Sequence, residues 1–225
     1  MKTKFISALF AISSLCFSGC DYDNFEEPRS ILSGNVIFEG KPVGVRTNGP
    51  QLELWQDGFQ LRTLIPVHIE QDGSFSAALF DGQYKLVRKG NSPWLQQASD
   101  TLMIQVKGNT AIDVPVIPYF SVSNESYQVA NNELTAGFTV RKHTNPADVD
   151  VVRLFIGRSI LTDQSRNEKA VSLDLSTLVL GTPATIRTQL PEGLKNQGYA
   201  FVRLGVKARA TGEYSYSQVQ KIALK

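Results

Sequence analysis

In the stretch IPVHIEQDGSFSAALFDGQYKLV, residues 65–87, apolar and polar side chains alternate with a period of two, the period of a strand with one buried face. Ile65, Val67 and Ile69 fall on one side, and Pro66, His68 and Glu70 on the other. Asp72-Gly73 and Asp81-Gly82 supply residues that tolerate positive φ, so each marks a reversal. The spacing predicts SFSAALF, residues 74–80, as one strand of a meander.

The same texture continues on both sides. SGNVIFEGKPV, PQLELWQDG, TLMIQV and AIDVPVI are short segments rich in β-branched and aromatic residues, and no sustained helical period appears. Pro115 and Pro118 close this block, and SVSNES reads as a polar loop that opens another, which places a boundary at residues 118–122. Beyond it, ELTAGFTVR puts Leu134, Ala136, Phe138 and Val140 on one face. YAFVRLGVKA puts Ala200, Val202, Leu204, Val206 and Ala208 inward. Its outward row of Tyr199, Phe201, Arg203 and Lys207 suits a protein contact. The expectation is an all-β chain of two domains, residues 31–119 and 120–225.

The first block resembles the transthyretin-like, carboxypeptidase-regulatory-like β-sandwich. The opening "G-x-V-x-x-x-G-x-P-V" of that fold is matched by Gly34, Val36, Gly40, Pro42 and Val43. Its "D-G-x-F…G-x-Y-x-L" hairpin is matched by Asp72, Gly73, Phe75, Gly82, Tyr84 and Leu86. The second block, ending in YAFVRLGVKA and TGEYSYSQVQKIAL, resembles the last strands of a fibronectin-III or immunoglobulin-like β-sandwich. The disulfide of antibody domains is missing, which favours the fibronectin-like form.

At the amino end, MKTK and the uncharged run FISALFAISSLCF form a basic region followed by an apolar region, the pattern of a signal peptide. The run is shorter than the roughly 20 residues that a helix needs to span a bilayer. Ser18 and Gly19 before Cys20 resemble a lipobox, with Phe17 departing from its usual leucine. On that reading residues 1–19 are cleaved and Cys20 becomes a lipidated amino terminus, stably held because it carries more than one acyl chain. An ordinary secretory signal cut nearby is the alternative. The cysteine usage favours lipidation: the chain has two, Cys16 in the leader and Cys20, and none after it, whereas a disulfide-stabilised secreted domain would hold pairs. Residues 20–30 form an acidic tether with Asp21, Asp23, Glu26 and Glu27. These acids are either a solvated spacer or an address, since they resemble the export signal that carries Bacteroidetes lipoproteins to the cell surface.

Cleavage removes Lys2 and Lys4 from the 23 basic residues and leaves 21, against 21 acidic ones. A formally neutral chain lacks the positive footprint on which nucleic-acid binding depends.

Leader, first block and the C-terminal RLGVKARATGEYSYS together resemble the Bacteroidetes lipoprotein family built on domain of unknown function 3823. That resemblance implies an outer-membrane, cell-surface location beside a nutrient importer of the starch-utilisation type, formed by a TonB-dependent channel and its lid lipoprotein. A glycan or peptide is the implied ligand. A lipidated stalk with no small-molecule ligand is the alternative.

Enzymes need a poised acid, base or nucleophile. The two histidines, His68 and His143, fall in different domains, and both read as solvated. There is no HExxH, no Cys/His zinc spacing, no G-x-S-x-G elbow and no phosphate-binding loop. Asp148 and Asp150 share a strand face but read as surface acids, and the Asp-Gly turns lack a full calcium-loop register. The expectation is a non-enzyme without metal or cofactor. For binding, Trp55 and Trp94 are the candidates, because a flat aromatic face suits the C–H face of a sugar ring; each could instead cover an end of its core.

Replacing Cys20 with Ala should move the protein from the membrane fraction to the soluble fraction. Its retention in membranes would overturn the lipid anchor.

Overall fold

The computed structural model describes residues 26–58, 62–96 and 101–224. The leader, Cys20, Asp21 and Asp23 lie outside them. Glu26 and Glu27 are exposed, in irregular chain just ahead of the first strand.

The first domain holds β1 (Ser30–Phe38), β2 (Lys41–Pro42), β3 (Gln51–Trp55), β4 (Ile65–His68), β5 (Ser74–Leu79), β6 (Gly82–Arg88), β7 (Leu102–Val106), β8 (Thr110–Ala111) and β9 (Val114–Pro115). One sheet has the order β2-β1-β5, with β8 and β9 running parallel to β1; the other has the order β4-β3-β6-β7. Alternate residues from both sheets meet in one core, among them Leu32, Val36, Leu54, Val67, Phe75 and Leu86. Each such side chain taken fully from water contributes about 1.5–3 kcal/mol.

The meander is a correction. β5 does not pair with β4 and β6 but crosses to the other sheet and pairs with β1, from Ser30↔Leu79 to Asn35↔Ser74. Both Asp-Gly sites therefore link sheets. Phe75 and Leu79 are buried as the alternation requires, but alternation fixes which face points inward and not which strand lies alongside.

The second domain holds β10 (Phe120–Ala130), β11 (Glu133–Lys142), β12 (Val149–Gly157), β13 (Lys169–Ser172), β14 (Pro183–Gln189), α1 (Glu192–Lys195), β15 (Tyr199–Ala208), β16 (Tyr214–Tyr216) and β17 (Gln220–Ala223). Sheet β10-β11-β14 packs over sheet β13-β12-β15-β16, with β17 also on β15. The inward rows of ELTAGFTVR and YAFVRLGVKA are all buried and share one core. SVSNES departs from expectation: these residues lie within β10 and pair with β11, with a bulge between Ser123 and Ser126.

The outward row of β15 is also corrected. Arg203 is fully buried, because the first domain covers that face. Its guanidinium donates from Nε to the Ser217 carbonyl at 2.8 Å, from Nη1 to Val45 O at 2.8 Å and from Nη2 to Gln71 O at 2.6 Å. It also lies 4.3 Å from the ring centre of Tyr216. Burial pushes its pKa down to about 10, so it remains a cation at neutral pH. The chain approaches so closely here that a Cβ on Gly44 would meet Arg203 Nη2 at 2.7 Å and Tyr216 O at 2.8 Å. Around this point Arg46 clasps Glu213 with two bonds of 2.8 and 2.7 Å, and Asn91 Oδ1 accepts from Gly212 N at 3.1 Å. Gln218 Nε2 donates to Asp72 O at 3.1 Å.

Arg203→Met removes a buried donor fork and leaves three carbonyls short of a partner, a loss on the order of 3 kcal/mol or more. Urea unfolding should show that loss, whereas Lys207→Met, on the same row but half-buried, should cost no more than about 1 kcal/mol.

Candidate functional site

Beside the Arg203 junction the two domains leave a cleft of about 630 Å³, within the size range of small-ligand sites. The first domain builds its wall from the end of β1 and the turn into β2. Phe38 pairs with Lys41, so the reversal is a two-residue turn of Glu39 and Gly40, with φ of 50° and 73°. Positive φ at both positions matches the right-handed twist of a hairpin. For a glutamate it is uncommon and costs energy, and here it holds Glu39 at the cleft.

The facing wall comes from β10 and the end of β11. The bulge in β10, with Asn124 at φ 56°, breaks the strand's regular alternation and turns the segment Ser123–Glu125 towards the cleft; re-aiming side chains is a common result of bulges. Ser123 Oγ is buried there without a hydrogen-bond partner. His143 follows β11, and its backbone N–H donates to Tyr119 O. Its Nε2 lies 2.7 Å from Ser121 Oγ, and its ring packs against Phe38 with centroids 4.5 Å apart. Burial is the main cause that lowers the His143 pKa; the Glu39 carboxylate opposes it, and Arg141 adds to it. The imidazole is therefore neutral at neutral pH.

Besides Asp72, whose Oδ1 accepts from Ser74 N and Oγ, four charged groups line the cleft: Glu39, Lys41, Glu125 and Arg141. Among the described residues none of them has an ion-pair partner within 4.0 Å. Their donors and acceptors are thus free for a ligand, with Phe38, Pro42, Pro118 and Val122 giving apolar surface between them. The arrangement suits a polyhydroxylated molecule that presents hydroxyls along its edges and C–H groups on its faces.

The two tryptophans do not meet at this site. Trp94 is 2% exposed, sits in the core of the first domain and bridges to Pro118. It cannot stack on a ligand, which corrects its selection as a binding residue; the apolar Pro93 and Leu95 beside it were the sign of a core position. Trp55 is half-buried on the outer side of β3, away from the cleft, with Nε1 donating to Glu53 Oε2 at 3.4 Å. Tyr199 and Phe201 form an edge-to-face pair at 5.9 Å, with the Lys221 ammonium 4.1 Å from the Tyr199 ring. Lys207 pairs with Asp150 at 2.8 Å and holds that carboxyl below its ordinary range. His68 is exposed beside Gln51. Among the described residues no cluster of three or more metal-ligating side chains occurs.

Sequence reasoning passed over Glu39, Asn124 and Arg141 and read His143 as solvated, which its packing on Phe38 and its bond to Ser121 correct. The two-residue EG step in FEGKP was the one local signal, since a glutamate in such a turn must adopt positive φ. For His143 there was none, because its partners Ser121 and Phe38 come from other strands.

The model for the "Protein of unknown function (DUF3823) N-terminal domain" matches residues 30–117, and the "Domain of unknown function (DUF3823_C)" matches residues 120–221. No curated protein matches. The crystal structure of a DUF3823 protein from Bacteroides ovatus is similar at 43% identity and a TM-score of 0.82, covering 88% of this chain and 100% of that one. One from Parabacteroides merdae is similar at 29% identity and a TM-score of 0.79 over the same shares. A Bacteroides uniformis protein, provisionally described as carbohydrate binding, shares the fold at 17% identity and a TM-score of 0.70, again over 88% and 100%. This chain belongs to the DUF3823 family.

The histidine in the cleft gives a pH signature. The folded pKa of His143 lies below its ordinary value of 6.5, so the unfolded chain binds the extra proton first. Stability is then full above pH 6.5 and falls as the pH drops from 6.5 to the folded pKa. Urea midpoints measured across this window should decline less steeply for His143→Gln than for the parent.

Proposed function

We propose that this DUF3823 protein is a lipid-anchored binding subunit at the cell surface that captures a glycan in the cleft between its two domains. The observation that carries the reading is the cleft itself, where Glu39, Lys41, Glu125 and Arg141, without ion-pair partners among the described residues, surround the tilted Phe38–His143 ring pair. Sugars are recognised by such pairings of apolar faces with charged groups that take two hydroxyls at once. A peptide, whose backbone offers the same alternation of donors and acceptors, is the competing ligand class. The provisional description of the B. uniformis relative agrees with a glycan, although at 17% identity that likeness speaks for the fold alone.

The reading is non-enzymatic. A serine beside a histidine is half of a nucleophilic triad, but among the described residues no carboxylate hydrogen-bonds the His143 ring to orient it. In the cell the protein would serve a TonB-dependent uptake system, delivering captured material to the channel and its lid lipoprotein. A second reading, a ligand-free stalk, draws support from the rigidity that the Arg203 junction gives to the domain pair.

Calorimetric titration of the purified protein with panels of oligosaccharides and of peptides separates these readings. A glycan should bind, and Arg141→Ala and His143→Ala should each weaken it by about tenfold, the loss of one or two hydrogen bonds. Trp55→Ala should leave it unchanged. Binding of peptides alone would reassign the ligand, heat from steady bond cleavage would make the protein an enzyme, and silence across both panels would favour the stalk.

A further inference from the structure

The polarity of the first domain bears on how the protein stands at the membrane. β1 begins at Ser30 and ends at Phe38, which touches His143 of the second domain. The strand spans on the order of 27 Å, so the chain enters the first domain at the end remote from the cleft. Three segments are clamped there. Asp81 accepts from Ser30 Oγ and, at 3.0 Å, from Gly108 N, which ties the start of β1 to the β5–β6 and β7–β8 turns. The register pair at this root is Ser30↔Leu79. Ile31, the second residue of β1, and Phe80, just past the end of β5, are large apolar side chains left in water, at 37% and 51% exposure.

Between Cys20 and Ser30 lie ten steps of chain, which reach at most about 36 Å when fully extended. A lipid on Cys20 would keep this pole within that distance of the bilayer at all times. At the high effective concentration that such a tether imposes, even a weak apolar contact is populated. A phenylalanine at the tip of a turn is suited to that contact, because it can enter the headgroup region without disturbing the fold behind it.

We infer that the pole carrying Phe80 and Ile31 rests on the lipid surface, with the interdomain cleft held on the side away from the membrane. The inference rests on the lipid-anchored reading above. It assigns the two domains different tasks: the first is a foot on the bilayer, and the second completes the binding cleft.

The mature chain has no cysteine after Cys20, so a single introduced cysteine can carry a nitroxide. Full-length Phe80→Cys, Ile31→Cys and, as a control on exposed β10 in the second domain, Gln128→Cys would be labelled in native membrane vesicles. Collision rates with oxygen, which concentrates in lipid, and with a water-soluble nickel chelate would then be measured. The labels at positions 80 and 31 should shift towards oxygen and away from nickel, and the label at 128 should do the reverse. Free access of nickel to positions 80 and 31 in membrane-bound protein overturns the foot while leaving the anchor intact. Shielding of both labels from oxygen and nickel alike overturns it in favour of a protein partner. Recovery of the parent chain in the soluble fraction would remove the anchor, and the foot with it.

Discussion

A single guanidinium sets the relation between the two halves of this molecule. Arg203 is buried with no carboxylate ion-paired to it among the described residues; the carbonyls of Val45, Gln71 and Ser217 and the face of Tyr216 meet its charge, and Asp163 and Asp72 favour it from farther off. A buried cation is expensive unless every donor finds a partner. The three carbonyls come from three separate segments, two in the first domain and one after β16. Satisfying the arginine therefore fixes all three segments at once. The planar fork of arginine makes this possible, since a lysine would offer a single point of charge in place of a set of fixed directions. Gly44 completes the fit by leaving out the side chain that would fill the space of the guanidinium.

The cleft is a consequence of that lock. The turn of Glu39 and Gly40 belongs to one domain, and Ser121, the β10 bulge and His143 belong to the other; none of these groups forms a site alone. Phe38 reaches His143 because the Arg203 bonds, together with the Arg46–Glu213, Asn91–Gly212 and Gln218–Asp72 contacts, hold the two domains in one relation. Among the described residues, two of the six non-glycine positions with positive φ, Glu39 and Asn124, line the cleft. Residues held in unfavourable backbone regions persist where the surrounding structure enforces them, often beside a ligand site. The unpaired charges of the cleft follow the same logic, because their positions are set by strands whose cores are elsewhere.

The burial pattern within each strand was legible from the chain, because alternation is a local property. Leu134, Ala136, Phe138 and Val140, and the inward row of β15 from Ala200 to Ala208, are buried as their period of two requires. Membership of the DUF3823 family was legible as well, through turn and strand motifs at fixed spacing. The neighbour of β5 was not, since Phe75 and Leu79 bury equally well whether the strand pairs with β4 or with β1. Trp94 misled for a related reason. A short segment with one aromatic has no period, so nothing local says whether the ring faces core or water.

The sequence by itself determined two all-β domains and the faces that their regular strands turn inward. These follow from side-chain periodicity and from composition, which act over a few residues. Tertiary structure alone decided that the outward row of β15 is split, with Arg203 sealed under the first domain while Lys207 stays half-exposed. It also decided that a histidine in an ordinary-looking turn meets Phe38 and Ser121 across a cleft. The reason is physical: a polar side chain on an outer face can be satisfied equally by water or by the carbonyls of a distant segment, and only the packing of one domain against the other chooses between them.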